Sequence, residues 1–294
     1  MQLSCNGITL EVEDHGSPQG EPILLIMGLG MQLLAWHEGF VASLVSRGHR
    51  VIRFDNRDAG LSQGFDELGA PNLMMASLRY ALHLPMRSPY TLADMAADSV
   101  GVLDALGVRR AHVCGASMGG MIAQQMAFRH ADRVASLTLM MTSSGSRRLP
   151  GPSARVRRAM LSQPRDPHDV ASVVNHLWRL LRLIGSPGFP ADEAEMSTQL
   201  ERAVRRANRP NGVARQLLAI VADGDRSALL AAIRAPTQII HGLQDPLVLA
   251  SAGRDLARLV PGARLDLIEG MGHDLPPALW PRFVADICDA AGRA

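Results

Sequence analysis

The sequence contains no lysine, and all 30 of its basic residues are arginine. Mechanisms that form a Schiff base on a lysine amine, or that use lysine as a general base, are therefore excluded. The arginines are offset by 28 acidic residues, so the formal net charge is only +2. A balance so close to neutral gives no indication of a nucleic-acid partner.

Cysteine is also scarce, with three widely spaced residues, Cys5, Cys114 and Cys288. They form no CxxC motif and no Cys/His group of the kind that binds zinc. We therefore expect reduced cysteines that pack in the interior, with neither a disulfide framework nor a metal site.

Long apolar runs are missing as well, since none approaches the ~20 residues needed to span a bilayer. The first 16 residues, MQLSCNGITLEVEDHG, carry acidic residues where a signal peptide carries positive ones. We expect a cytoplasmic protein without a membrane partner. Its 294 residues are enough for one large core with an insertion.

Short apolar runs alternate with segments of helical periodicity, which is typical of a mainly parallel sheet flanked by helices. The predicted strands are 8–16, 22–28, 49–57, 111–117, 134–141, 237–245 and 264–273. The predicted helices between and after them are 33–46, 91–107, 118–130, 248–260 and 278–291. The later strands are continuously apolar, as expected for strands that are covered on both faces.

One interval, residues 143–230, breaks this alternation and has only helical patterns separated by proline and glycine. It holds 14 arginines and 8 acidic residues, whereas the rest of the chain is slightly acidic. We predict a helical insertion packed over a core formed by 1–142 and 231–294. Its arginine excess is interpreted first as a solvated helical face, and alternatively as an attraction for an anionic substrate.

The residues that directly follow the strands are candidate site residues, because ligands bind at the carboxyl ends of parallel strands. Ser117 lies in Gly115-Ala116-Ser117-Met118-Gly119, a GxSxG match between a predicted strand and a predicted helix. Small neighbours permit the tight turn that exposes such a serine as a nucleophile. A structural glycine-rich turn is the alternative interpretation.

A serine needs a base, and the base needs an acid that orients it. His273 follows the last predicted strand in GMGHDLP, and Asp245 follows the preceding strand in HGLQDPLV. The alternative roles are a structural histidine and a helix N-cap. We predict that Ser117, Asp245 and His273 form a catalytic triad.

Backbone N–H groups are expected to stabilise the negative charge that develops on the substrate oxygen. The N–H of Met118 has no helical acceptor at the first turn of its helix. The second donor is predicted at Leu29, because Gly28 and Gly30 let that loop approach a substrate. Substrate contacts are predicted for Gly28, Met31 and Trp178, and Trp36 is a further candidate for the pocket.

The segments LLIMGLG, VIRFDNRDAGLS, GASMGGMIAQ and GMGHDLP resemble those of the α/β-hydrolase superfamily, and more narrowly its methylesterase and cofactor-free haloperoxidase and esterase groups. The resemblance covers essentially the whole chain. It implies the same triad, an oxyanion hole at Leu29 and Met118, and a helical cap inserted after the sixth strand. Many relatives begin the first loop with His-Gly, whereas this chain has Met27-Gly28. The cluster Asp55, Arg57 and Asp58 resembles a stretch that braces the loops.

These features predict a serine hydrolase that cleaves a carboxylic ester through an acyl-enzyme without any cofactor or metal. A methyl ester and a medium-sized hydrophobic ester are the candidate substrates. The partner is then a small-molecule ester, and the protein a monomer or homodimer. Perhydrolysis, lactone hydrolysis and C–C bond hydrolysis use the same triad and stay open. A receptor-like protein that binds a ligand without turnover is the alternative from another class.

Overall fold

The computed structural model describes residues 1–82 and 84–294, whose strands form one eight-stranded sheet in the order β1-β2-β4-β3-β5-β6-β7-β8. β1 and β2 are antiparallel to their neighbours, and the remaining pairs are parallel. The strands are β1 (Gln2–Cys5), β2 (Ile8–His15), β3 (Glu21–Ile26), β4 (His49–Phe54), β5 (Ala111–Ala116), β6 (Val134–Met140), β7 (Thr237–Gly242) and β8 (Arg264–Ile268).

Helices cover both faces of the sheet. The helices are α1 (Glu38–Val45), α2 (Leu73–Ala81), α3 (Leu92–Ala105), α4 (Met118–Arg129), α5 (Ala154–Met160), α6 (Val170–Ile184), α7 (Glu193–Arg206), α8 (Pro210–Asp223), α9 (Ser227–Leu230), α10 (Ala250–Leu259) and α11 (Trp280–Ala291). Buried residues of α1 and α11 form the core on one face, and those of α3, α4 and α10 form it on the other.

The central strands are buried because both of their faces are covered. Every residue of β5, β6 and β7 is buried, which explains their continuous apolar runs. The predicted fold class is therefore confirmed. All five helices from α5 to α9 lie between β6 and β7, within the predicted insertion. That residues 143–230 form a separate cap stays a prediction.

Outside the insertion, one strand and one α-helix were not predicted from the sequence, β1 and α2. β1 is a four-residue edge strand that pairs with β2 through the turn at Asn6 and Gly7, both with positive φ. An Asn-Gly pair is a strong signal for such a hairpin turn. The predicted helix 33–46 is instead a short 3-10 turn at Leu33–Ala35 followed by α1.

Part of the insertion's arginine excess joins the insertion to the core, so its interpretation as a solvated face is wrong for these residues. Arg215 is fully buried, and its Nε and Nη2 lie 2.7 and 2.8 Å from the two carboxylate oxygens of Asp58. Arg206 Nη1 lies 2.6 Å from Asp55 Oδ2. Buried charges are tolerated only when they are paired in this way.

Over the described residues, none of the helices has the length and apolarity required to cross a bilayer.

Candidate active site

Three strands end at one edge of the sheet, and each is followed by one of the predicted triad residues. Ser117 stands between β5 and α4 with φ 55° and ψ −118°, a conformation that is strained for a residue with a side chain. Glycines make this turn possible. A Cβ on Gly115 would lie 2.2 Å from the carbonyl oxygen of Gly119, and a Cβ on Gly119 would lie 2.0 Å from that of Ile26.

The structure brings the three side chains together in a chain of hydrogen bonds. His273 Nε2 lies 3.0 Å from Ser117 Oγ, and His273 Nδ1 lies 2.7 Å from Asp245 Oδ2. Asp245 is 2% exposed and His273 is 9% exposed, whereas Ser117 is partly open. This geometry allows the imidazole to accept the hydroxyl proton while the carboxylate orients it.

The two carboxylate oxygens of Asp245 have different hydrogen-bond partners. Oδ1 accepts hydrogen bonds from the backbone N–H groups of Leu247 (2.9 Å) and Val248 (2.8 Å), which fixes the turn before α10. Oδ2 faces His273. The alternative role of Asp245 as a helix N-cap is therefore wrong, because α10 begins at Ala250 and its N-cap is Leu249.

A second histidine lies beside this carboxylate and was not predicted as part of the site. His241 Nε2 lies 2.7 Å from the carbonyl oxygen of Val248 and 3.6 Å from Asp245 Oδ2. Burial lowers the pKa of His241, so the ring is neutral near pH 7. It donates from Nε2 and thereby helps to fix the turn that carries Asp245.

The end of α6 and the segment that follows it form hydrogen bonds with the loop that carries His273. The N–H of His273 donates to the carbonyl oxygen of Ile184 (2.7 Å), and the N–H of Gly272 donates to Ser186 Oγ (2.8 Å). Ser186 in turn donates to the Asp274 carboxylate from both its hydroxyl and its N–H. Burial raises the pKa of the Asp274 carboxyl, and these two donors oppose the shift. Ser186 therefore touches both neighbours of His273 along the chain.

The predicted oxyanion donors belong to the first loop, at Leu29, and to the nucleophile turn, at Met118. A Cβ on Gly28 would lie 3.2 Å from Ser117 Cβ, so the first loop is close to the serine. Within the described chain, the N–H groups of Leu29 and Met118 have no acceptor. A substrate oxygen at this position would supply one.

Two amides support the first loop, and neither was predicted. Gln216 of α8 accepts from the N–H of Gly30 (2.8 Å) and donates to the carbonyl oxygen of Arg57 (2.7 Å). Asn56 donates to the carbonyl oxygen of Met27 (2.9 Å). These bonds give the first loop polar side-chain support, which Met27 itself does not provide.

The residues predicted to contact substrate or line the pocket differ in burial. Met31 and Trp178 are half-buried, and their contact with substrate stays a prediction, as does that of Gly28. Trp36 is fully buried and stacks on Phe40 at a ring distance of 5.6 Å, so it belongs to the hydrophobic core. The methionines of the strand ends and turn, Met27, Met118 and Met271, are core residues as well.

The cluster after β4 braces the loops as expected. Asp55 accepts from the N–H groups of Leu33 (2.7 Å) and Leu61 (2.9 Å). Arg57 forms a buried two-bond pair with Asp98, both at 2.6 Å. Burial would raise the pKa of Asp58, but its hydrogen bonds with Arg215, Phe65 and Tyr90 hold that pKa below the usual range. Among the described residues, no group of three or more His, Cys, Asp or Glu side chains is placed to hold a metal ion.

Two curated relatives resemble this chain along almost its full length. The rhodomycin D methylesterase of Streptomyces peucetius is 33% identical, and that of Streptomyces sp. strain C5 is 31% identical. Each alignment covers 97% of this chain and 96% of the relative.

Solved structures share the fold at lower identity. The enol-lactonase of Burkholderia xenovorans LB400 has a TM-score of 0.74 at 23% identity, covering 99% of this chain and 100% of that one. The esterase RhEst1 of Rhodococcus sp. ECU1013 has a TM-score of 0.76 at 21% identity, covering 99% and 97%. The family model described as alpha/beta hydrolase fold matches residues 21–276. The chain belongs to the α/β-hydrolase family.

Proposed function

We propose that this chain is a serine esterase that hydrolyses a carboxylic ester through an acyl-enzyme on Ser117. The observation that carries the proposal is the unbroken hydrogen-bond chain from Ser117 through His273 to Asp245. A hydroxyl is a weak nucleophile alone, and this arrangement supplies both the base and the group that orients it.

In the first step, His273 Nε2 takes the proton of Ser117 while Ser117 Oγ bonds to the carbonyl carbon of the ester. The N–H groups of Leu29 and Met118 stabilise the resulting oxyanion. The C–O bond to the alcohol then breaks, and the alcohol leaves with the proton held by His273. Asp245 stabilises the transient imidazolium.

In the second step, water gives a proton to His273 and its oxygen bonds to the acyl carbon. The bond between Ser117 Oγ and that carbon breaks, and Ser117 regains the proton. The products are a carboxylic acid and the free enzyme, so atoms balance without a cofactor.

A methyl ester of a hydrophobic acid is the proposed substrate class. The two Streptomyces relatives are named as methylesterases, and their similarity extends over almost the whole chain. A Cβ on Gly28 would lie 3.2 Å from Ser117 Cβ, so the space between the first loop and the serine is narrow, which favours a small leaving group.

The test compares p-nitrophenyl esters of increasing acyl length, methyl esters of aromatic acids, and lactones of similar size. We expect turnover of esters by the wild type and a loss of about 10⁴-fold or more in Ser117→Ala and His273→Ala. Both variants should keep the thermal unfolding midpoint of the wild type within a few degrees. A folded wild type that hydrolyses none of these compounds would refute the proposal, and a preference for lactones would reassign the substrate class.

A further inference from the structure

A cavity of about 670 Å³ lies between α5 and α6 of the insertion, and its walls include neither a triad residue nor a predicted oxyanion donor. This volume is in the range of small-molecule binding sites. An adjoining cavity of about 430 Å³ shares part of the wall and extends the groove along α5.

Arginine dominates the charge of this groove. Arg155, Arg158, Arg179 and Arg182 line the two cavities, and no acidic side chain is among the lining residues. All four are exposed, and none has a carboxylate within 4 Å in the described part of the chain. Their positive charges are therefore not neutralised by the protein.

Many of the other arginines of the insertion do contact a carboxylate, so the unneutralised charge is a local feature of the groove. Six of the insertion's 14 arginines contact a carboxylate, namely Arg202, Arg205, Arg206, Arg209, Arg215 and Arg226. Half of the eight others face the groove. Four like charges around one concavity repel each other, and a bound anion would relieve that repulsion. The pKa of His176, which also lines the groove, is lowered by burial and by the charge of Arg179.

The groove also has an apolar wall. Ala159, Leu180 and Leu183 line it between the arginines, and all three are half-buried. An inorganic anion would leave this surface uncovered, whereas an organic anion would cover it and also contact the guanidinium groups.

We propose that the groove between α5 and α6 is a binding site for a small organic anion, a carboxylate or sulfonate carried on an apolar body. This site is distinct from the esterase site and does not depend on its function. The proposal assigns a ligand-binding role to the four arginines of the insertion that line this groove.

The probe is 2-naphthoate, with the neutral 2-naphthamide as its matched analogue, and binding is measured by isothermal titration calorimetry. The protein is first labelled at Ser117 with a fluorophosphonate, whose adduct occupies the space beside the serine, so that the probe does not report on the esterase site. We expect saturable binding of naphthoate that weakens as salt is raised from about 20 to about 300 mM. Naphthamide should bind about tenfold more weakly or worse.

The variants separate this groove from a general effect of net charge. Arg179→Glu with Arg182→Glu should weaken naphthoate binding about tenfold or more. Arg109→Glu with Arg254→Glu changes the net charge equally at exposed positions outside the groove and should leave the affinity within about twofold. The proposal fails if both double variants bind alike, if naphthamide binds as well as naphthoate, or if wild-type binding does not saturate.

Discussion

Replacement of Ser186 by alanine tests whether the insertion positions the base. Ser186 is 4% exposed, and its hydroxyl contacts the residues on both sides of His273, accepting from Gly272 N–H and donating to Asp274. The variant leaves one buried N–H unpaired and removes one of the two donors that Ser186 offers the Asp274 carboxylate. Each such loss costs about 1–3 kcal/mol at a buried site.

The loop would shift without detaching, because other hydrogen bonds remain. His273 N–H still donates to Ile184, Gly188 N–H to Gly270, and Gly270 N–H to Gln244. A displacement of the base by a fraction of an ångström up to about 1 Å lowers the rate by about 10- to 100-fold. We therefore expect kcat to fall by that factor while KM stays within about twofold, since substrate binding is not touched.

The assay combines steady-state hydrolysis of a p-nitrophenyl ester with the rate of fluorophosphonate labelling, which should fall in parallel with kcat. Ser186→Thr retains the hydroxyl and should recover most of the rate. Ser99→Ala is the matched control, because Ser99 is a fully buried serine of α3 that bonds only to Met95 of its own helix. If Ser186→Ala is as active as Ser99→Ala, the positioning role is refuted.

Three further changes test the packing and the charges. Gly119→Ala should lower kcat/KM in the ester assay about 100-fold, because a Cβ there would lie 2.0 Å from the Ile26 carbonyl oxygen and must displace the Ser117 turn. Gly151→Ala is the control, since its Cβ meets no atom within 4 Å and kcat/KM should not change. Arg215→Met should lower the free energy of unfolding in urea by about 3–5 kcal/mol, since it strands the buried Asp58 carboxylate; a loss below about 1 kcal/mol would contradict the pairing. Asp286→Asn tests the carboxyl whose pKa is raised to about 7 by burial and by the neighbouring Asp266. Between about pH 4 and pH 7 the folded state binds this proton more tightly than the unfolded state, so the protein loses stability as the pH rises through this window. Relative to the wild type, Asp286→Asn should therefore raise Tm more at pH 8 than at pH 5. Equal increases in Tm at the two pH values would contradict the raised pKa.

The central sheet was predictable because its strands are short, continuous apolar runs that end at glycine, serine or aspartate. The same rule indicated Ser117, Asp245 and His273, because each follows a strand and parallel strands end at one edge. The structure places the three side chains in hydrogen-bond contact, and their catalytic roles stay predictions until they are tested.

The supporting residues were not predictable, since their partners lie far away in the sequence. Ser186 meets Asp274 across 88 positions, and Gln216 meets Gly30 across 186. A single hydroxyl or amide in a helical region has no periodic signal that would distinguish it from a solvent-facing residue. α2 was not predicted for a different reason, which is that its apolar residues are not buried. Met74, for example, is 81% exposed. Binary patterning predicts helices only where one face is buried.

The most direct test of the central claim is mass spectrometry of the intact protein and its peptides after reaction with a fluorophosphonate. If Ser117 is the nucleophile activated by His273, one equivalent of label attaches to the peptide that contains Ser117, and labelling is slowed about 10³-fold or more in His273→Ala. Labelling at another residue, or at Ser117 with an unchanged rate in folded His273→Ala, would contradict the account.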